Sequence, residues 1–388
     1  MGTKYNSVLK IFGMKRKKML IFHTALATYR IDVFNALNEL YDVEVVFLQE
    51  NLWYYKMNQS ELLAQSNFKV SYLLKGPRYR GRMLRFGVYK KIKEVNPDII
   101  FSYEYSLTIQ YLILLKRIGL INQKIGTFVD DSIDISKNIQ SKARSIARQN
   151  GIKHLDYFVL LSKEVSQFYK DTFNLKENQL IVSPIIQSPA RLRKNINQLK
   201  LIAEEYIQKY DLKKKKVLLY VGRLVEVKAL PLFLNTILPL LEKEQDLYFV
   251  FVGDGDELNT LQTIVEDNHL EDKVVFVGEL QGPELHAWYL AVSGLVLPSI
   301  SETFGAVVNE ALIFGLPVFC SKLAGASSWI KPEHGIVFNP LIKKETQEKL
   351  KSFLKRIEPV DNIDLSNKKC LMEFSTDKFN DEWQKVEV

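Results

Sequence analysis

The sequence predicts an α/β protein built from two consecutive doubly wound domains, each a parallel sheet with helices packed on it. Three observations carry that expectation. Short apolar runs alternate with helix-length amphipathic segments along most of the chain, the pattern of parallel strands joined by right-handed crossovers. The alternation stops over Ser183–Leu199, where Pro184 and Pro189 stand in a stretch without clear periodicity, and then restarts. Charge divides in the same way: residues 1–200 hold 32 Lys and Arg against 16 Asp and Glu, whereas residues 201–388 hold 21 against 29. A basic half joined to an acidic half suggests domains that face different partners. With 388 residues and 47% hydrophobic composition, each half is long enough to bury a core of its own.

The elements follow in order. Met19-Leu20-Ile21-Phe22 is continuously apolar, so Met19–His23 reads as a buried strand and Ile31–Leu40 as the amphipathic helix after it. Val43–Leu48 is a second strand, and residues 97–102, opened by Pro97, are another. The helix Leu107–Ile118 comes next, then strands at Lys124–Val129 and Tyr157–Leu161. After the four lysines 213–216 the second series opens with the strand Val217–Val221 and the helix Leu230–Glu242. Tyr248–Val252 is a strand that runs into a turn at Gly253-Asp254-Gly255. Val274–Val277 is a strand and Glu284–Ala291 a helix; Gly294–Leu297 is a strand closed by Pro298. Val307–Phe314 is a helix and Pro317–Cys320 a strand. The expected divisions are 1–185 for the first domain, 186–212 for a linker and 213–372 for the second domain. Ligands of such sheets bind beyond the carboxyl ends of the strands.

Composition excludes several classes. Two cysteines, Cys320 and Cys370, cannot form a disulfide framework and fit a reducing compartment. No apolar run reaches the roughly 18–20 residues that span a bilayer; Lys116 and Arg117 interrupt the best candidate, Leu107–Ile121. The apolar run after Lys15–Lys18 is too short for a signal-peptide core, so a cytoplasmic location is expected. In the densest basic stretch, Lys75–Lys93, residues Leu84, Val88 and Ile92 recur at helical spacing. A helix lying on an anionic membrane surface fits that pattern, with Arg78, Arg80, Arg82, Arg85, Lys90 and Lys91 each contributing about 1 kcal/mol. A solvated helix face fits it equally. The first reading would place the protein peripherally on the cytoplasmic face of a membrane. No recognition motif accompanies the charge, so nucleic acid is not expected as a partner.

The most informative stretch runs from Pro298 to Ala311, PSISETFGAVVNEA. A strand ends at a proline, a polar loop follows, and a helix starts near Gly305, whose free N–H groups favour an anion. Glu302 precedes that start and Glu310 lies two turns inside, about 12 Å away if the whole segment were helical. That is too far for two carboxylates flanking one glycosidic bond, which need about 5 to 9.5 Å. They could hold opposite ends of an elongated ligand, or be a cap and a solvated helix carboxylate. A second constellation is YVGRLVEVK, Tyr220–Lys228, in which a strand delivers Arg223 and Lys228 into the following loop. Two cations there could neutralise a diphosphate, or be an exposed basic loop.

Taken together, these stretches resemble the retaining, nucleotide-sugar-dependent glycosyltransferases of the GT-B fold, the group 1 family. The resemblance rests on the strand-Gly222-Arg223-Leu224 loop with Lys228, and on the Glu302-x7-Glu310 spacing followed by Ala311 and Gly315-Leu316-Pro317-Val318. It is specific from about Val217 to Pro340, including Gly253-Asp254-Gly255 and Val277–Leu280, and mainly architectural over residues 1–185. It implies two Rossmann-like domains with an interdomain cleft, and a last helix within 373–388 that crosses back onto the first domain.

By that resemblance Arg223 and Lys228, after Gly222, would hold the donor diphosphate. Glu310 would accept from ribose hydroxyls, Glu302 would contact the transferred sugar, and the backbone at Phe304, Gly305 and Ala306 would approach phosphate or sugar. Leu280 would lie near the nucleobase. Pre-placed cations and helix-start N–H groups suit the negative charge that develops on the departing diphosphate. The implied reaction moves a hexose-type sugar from a nucleoside-diphosphate donor to a glycan or lipid-linked oligosaccharide, with retention of configuration, in surface-polysaccharide biosynthesis. The alternatives are a non-catalytic sugar- or nucleotide-binding protein of the same fold and a nucleotide-sugar epimerase. No cofactor and no metal is expected beyond the nucleotide sugar.

The first domain departs from the family pattern. The loop after its first strand, His23-Thr24-Ala25-Leu26-Ala27-Thr28-Tyr29-Arg30, has no glycine, so Tyr29 and Arg30 are expected to offer side chains instead, with His23 at the strand end. Where many members carry a histidine, Val129 runs into Asp130 and Asp131, either of which could accept from a hydroxyl. Gly253-Asp254-Gly255-Asp256 lacks the third glycine of a dinucleotide fingerprint and reads as a strand-to-helix turn. The five histidines have no metal-ligand spacing, and Cys320 reads as packed core.

Overall fold

The computed structural model describes residues 16–51, 56–79, 81–372 and 376–386. The chain folds as two compact units, Met1–Ile186 with Phe374–Val388, and Gln187–Glu373.

Unit 1 is built on β1 (Lys18–His23), β2 (Asp42–Phe47) and β3 (Lys69–Tyr72), followed by a short hairpin of β4 (Arg78–Tyr79) and β5 (Arg82–Met83). The strands β6 (Ile99–Tyr103), β7 (Lys124–Val129), β8 (Tyr157–Leu160) and β9 (Leu180–Val182) complete it. Its main sheet is wholly parallel in the order β3-β2-β1-β6-β7-β8-β9, so the winding direction reverses between β1 and β6. The continuous apolar run of β1 is explained by burial on both faces. Met19 and Ile21 enter one core cluster, and Leu20 and Phe22 the other. The helix Ile31–Leu40 buries Ile31, Val33, Phe34 and Leu37, the residues its periodicity singles out.

The last helix, Thr376–Trp383, belongs to this unit. Trp383 is fully buried beside Phe101 and Phe128, and its indole N–H donates to Ser183 Oγ at 3.2 Å. Tyr41 in turn donates its hydroxyl to the Trp383 carbonyl at 2.9 Å.

The basic stretch differs from expectation. Leu84 is not helical; the helix runs over Val88–Val95, and its apolar residues Val88 and Ile92 are buried in the core of unit 1. A helix whose apolar stripe is already covered has none left to lay on a membrane. Two of the six cations are also committed. Arg85 donates to the carbonyls of Leu48 and Gly76 at 2.7 and 2.8 Å, and Lys91 pairs with Glu44 at 2.7 Å. Arg80 lies outside the described residues.

Unit 2 holds β10 (Lys216–Val221), β11 (Leu247–Val252), β12 (Val274–Gly278), β13 (Gly294–Leu297), β14 (Val318–Ser321) and β15 (Gly335–Phe338). This sheet is also parallel, in the order β12-β11-β10-β13-β14-β15, with its reversal between β10 and β13. The stretch expected as a linker is folded instead. Pro189–Leu192 and Ile196–Lys209 are helices of unit 2, and Tyr206 on the second stacks on Trp288 at 4.7 Å. Only Leu199 and Ala203 of that second helix are buried, too narrow a stripe to stand out in the sequence.

Candidate functional site

In unit 2 the residues singled out by sequence gather at the carboxyl ends of β10 and β13, where the winding reverses. Gly222 follows β10 at φ +141°, and its N–H donates to the Val252 carbonyl at 3.0 Å. Tyr220, buried, donates its hydroxyl to the Arg223 carbonyl at 2.8 Å and so pins the loop that carries exposed Arg223. Gly253-Asp254-Gly255 packs directly on this loop. A Cβ at Gly253 would lie 1.9 Å from the Gly222 carbonyl oxygen, and one at Gly255 2.3 Å from that of Leu224. These glycines therefore let two backbones approach, as a strand-to-helix turn should.

A single helical turn, Glu226–Lys228, then brings the Lys228 ammonium onto the Glu302 carboxylate. Both side chains are mostly buried, 14% exposed. The loop that bears Glu302 is held from two sides. Ile300 N–H donates to the Val227 carbonyl at 3.0 Å, and Ala326 N–H to that of Phe304 at 2.7 Å. Gly305 caps the helix Ala306–Ile313 at φ +93°, where a Cβ would meet Leu297 Cδ2 at 2.7 Å. Phe304 is buried beneath this turn and Ala306 half-buried at the helix start. A cation, a carboxylate and the start of a helix thus converge. Leu280 sits half-buried two residues past β12.

Glu310, 7% exposed, lies inside this helix rather than on a solvated face. Its two oxygens accept from Tyr289 Oη at 2.7 Å and Gln187 Nε2 at 2.8 Å. Burial, reinforced by the Glu310 charge, pushes the Tyr289 hydroxyl well above its usual range, so it stays a donor. Sequence reading missed both partners. Tyr289 lies in the apolar run Ala287–Ala291, and Gln187 in the proline-bracketed stretch. Cys320 is fully buried, and burial raises its thiol out of the reactive range, in keeping with a core role.

In unit 1 a charged cluster occupies the corresponding sheet edge. His23 ends β1, but it is 6% exposed and its ring packs among Phe34, Phe47, Tyr103 and Phe128, with no hydrogen-bond partner on Nε2 among the described residues. Burial, with the Arg30 charge adding, holds the imidazole down to about 4. Arg30 is not offered to a phosphate either: it is 1% exposed and its guanidinium pairs with Asp130. Tyr29 is half-buried beside it. Although burial works against the charged form, Arg30 holds the Asp130 carboxyl below its ordinary range. Asp131, 1% exposed, accepts from Arg144 at 2.7 Å.

Two members of this cluster were not anticipated. Glu104 follows β6 directly, at φ +45°, with its carboxylate 3.3 Å from Arg144. Its backbone is pinned to β7: the Thr127 hydroxyl donates to the Glu104 carbonyl, and the Glu104 N–H donates to that of Phe128. Burial first, then Asp130 and Asp131, push this carboxyl up to about 7, against the pull of Arg144. A carboxylate directly after a central strand was the signal available in the sequence. Arg144, on the helix Lys142–His154, carried none. Among the described residues no group of three or more His, Cys, Asp or Glu is placed to hold a metal ion, and no helix is long and apolar enough to cross a membrane.

Residues 202–368 match the family described as Glycosyl transferases group 1. An uncharacterized glycosyltransferase of Haemophilus influenzae is 22% identical over 367 residues, covering 92% of this chain and 94% of its own. The O-antigen biosynthesis glycosyltransferase WclY of Escherichia coli is 28% identical over 169 residues, covering 43% of this chain and 44% of its own. Other curated relatives align over only 27–30% of their own length. Among solved structures, HepE of Anabaena in complex with UDP superposes with a TM-score of 0.67 at 16% identity, covering 95% of both chains. The fold of this chain is similar to that structure throughout, and it is the GT-B fold.

Proposed function

We propose that this chain, whose residues 202–368 match the group 1 glycosyltransferases and whose fold is GT-B, is a member of that family, that unit 2 binds a nucleoside-diphosphate sugar and that the protein transfers its hexose-type sugar, with retention, to a glycan or lipid-linked oligosaccharide. The observation that carries the reading is the convergence of Lys228, Glu302 and the Gly305 helix start at the carboxyl edge of β10 and β13. Arg223 and Lys228 hold the diphosphate, Arg by its fork and Lys as a point charge. Glu302 orients the sugar hydroxyls and keeps Lys228 in place. Glu310, fixed by Tyr289 and Gln187, faces the ribose. Leu280 packs by the base.

In the transfer, the bond from the anomeric carbon to the β-phosphate oxygen breaks and its electron pair leaves on the diphosphate. The acceptor hydroxyl oxygen bonds to the anomeric carbon on the same face, and its proton passes to that phosphate oxygen. Arg223, Lys228 and the N–H groups at the helix start stabilise the charge that develops there. With those groups as the electrophilic partners, chelation by EDTA leaves turnover unchanged. Unit 1 is the acceptor-binding unit in this reading, through Glu104, Asp130 and Asp131. The name of the Escherichia coli relative supports a place in surface-polysaccharide assembly.

Thermal melts with UDP, GDP, ADP, TDP and NAD test the proposal, with Lys228→Ala as control. A ligand at 100 times its Kd adds about 2.7 kcal/mol. One nucleoside diphosphate should raise the midpoint in the wild type and not in the variant. Silence from all four, or a response to NAD alone, would overturn the reading. Binding without turnover of any donor would favour a non-catalytic sugar-nucleotide-binding protein.

A further inference from the structure

The loop that carries β4 and β5, in unit 1, combines exposed apolar and basic side chains on a fixed base. Its base is fixed. Gly76 at φ +140° lets the chain pass where a Cβ would be 2.2 Å from the Leu84 carbonyl oxygen. Arg85 donates to the Gly76 and Leu48 carbonyls, Phe86 N–H donates to the Lys75 carbonyl at 2.9 Å, and Met83 is buried in the core below. From this base four large apolar side chains face solvent: Tyr79 is 71% exposed, Phe86 66%, Leu74 41% and Leu84 36%. Arg78 and Arg82 are exposed among them, and Lys90 and Lys93 on the helix that follows. Between Leu73 and Lys93 the sequence holds eight Lys and Arg and no Asp or Glu.

We propose that this hairpin docks the protein on an anionic lipid bilayer, with Tyr79, Leu84 and Phe86 entering the interface and Arg78, Arg82 and Lys90 on the headgroups. Aromatic side chains ringed by cations partition to that boundary, where the ring meets acyl chains and the charge meets lipid phosphate. A polyphosphate such as RNA matches the cations and can stack on Tyr79 and Phe86, but it offers nothing to Leu74 and Leu84. The surface is the hairpin and not the helix Val88–Val95, whose apolar stripe is already buried. Because the anchors project from a loop fixed by Arg85, no refolding is needed on contact.

Flotation of the full chain with large vesicles tests this, using phosphatidylcholine alone or mixed equally with phosphatidylglycerol. The wild type should float with the mixed vesicles and not with the neutral ones, and less so as salt rises. Tyr79→Ser with Phe86→Ser, and separately Arg78→Glu with Arg82→Glu, should each lower partitioning at least tenfold. Ile146→Ser, which removes a 67% exposed residue on the helix Lys142–His154, should leave it unchanged. All substituted side chains are exposed, and thermal melts matching wild type verify folding. Absence of wild-type binding to the mixed vesicles would overturn the proposal. So would unchanged partitioning of the Ser pair, or retention of poly(U) RNA without vesicles.

Discussion

Replacing Glu310 should destabilise unit 2 as well as remove the ligand contact proposed for it, and the size of the stability effect follows from its partners. The carboxylate accepts from Tyr289 and Gln187 at 2.7 and 2.8 Å, and the three residues are 7%, 0% and 1% exposed. Hydrogen bonds to a charged group contribute about 1.5–3 kcal/mol each, and Glu310→Ala leaves two buried donors unpaired, so a loss of about 3–5 kcal/mol is expected. Glu310→Gln keeps the shape and one carbonyl acceptor and should lose about 1–2 kcal/mol. Tyr289→Phe removes one donor and should cost a similar amount in the wild type. In the Glu310→Ala background it should cost almost nothing, because the bond it breaks is already gone. Urea titrations of the four proteins measure this cycle. A Glu310→Ala protein within about 0.5 kcal/mol of wild type would refute the reasoning, as would equal costs of Tyr289→Phe in both backgrounds. For nucleotide binding, Glu310→Gln is accordingly the informative variant.

Three further outcomes are expected. His23 is held neutral at about 4 against 6.5 in the unfolded chain, so its contribution is complete above pH 6.5 and declines as pH falls toward 4. The decline amounts to about 2–3 kcal/mol by pH 4.5, and His23→Phe should remove it in denaturation at pH 7 and 4.5; an unchanged slope would contradict the burial. Gly253→Ala places a methyl against the Gly222 carbonyl at φ +149°. It should cost about 2–4 kcal/mol and weaken nucleotide binding, read by urea midpoint and thermal shift. Cys370 is exposed and Cys320 buried, so a thiol reagent should modify one cysteine in the folded protein and two in urea; rapid double labelling without urea would show the β14 core to be open.

Much of this organisation is legible in the residues themselves. The strands at Met19, Val43, Lys124, Val217 and Tyr248 announce themselves because burial on both faces of a parallel sheet demands unbroken apolar runs, and that demand is local. The loops Gly222–Lys228 and Pro298–Gly305 were marked by their residues for the same reason: the turn chemistry is written within a few positions. The edge strands β3 and β9 escaped notice because they are short, and β3 is only half-buried, which weakens the pattern. What tertiary structure alone decided is who meets whom. Arg30 pairs with Asp130 across 100 residues, Gln187 with Glu310 across 123, and Lys228 with Glu302 across 74. Helical or strand periodicity reports which face of an element is buried, never which distant loop lies against it. That choice follows from the strand orders of the two sheets, which place the ends of β1, β6 and β7 side by side in unit 1 and those of β10 and β13 side by side in unit 2. His23 and Arg30, expected at the surface, are buried because that edge is filled by aromatic rings and an opposing aspartate contributed by strands far along the chain.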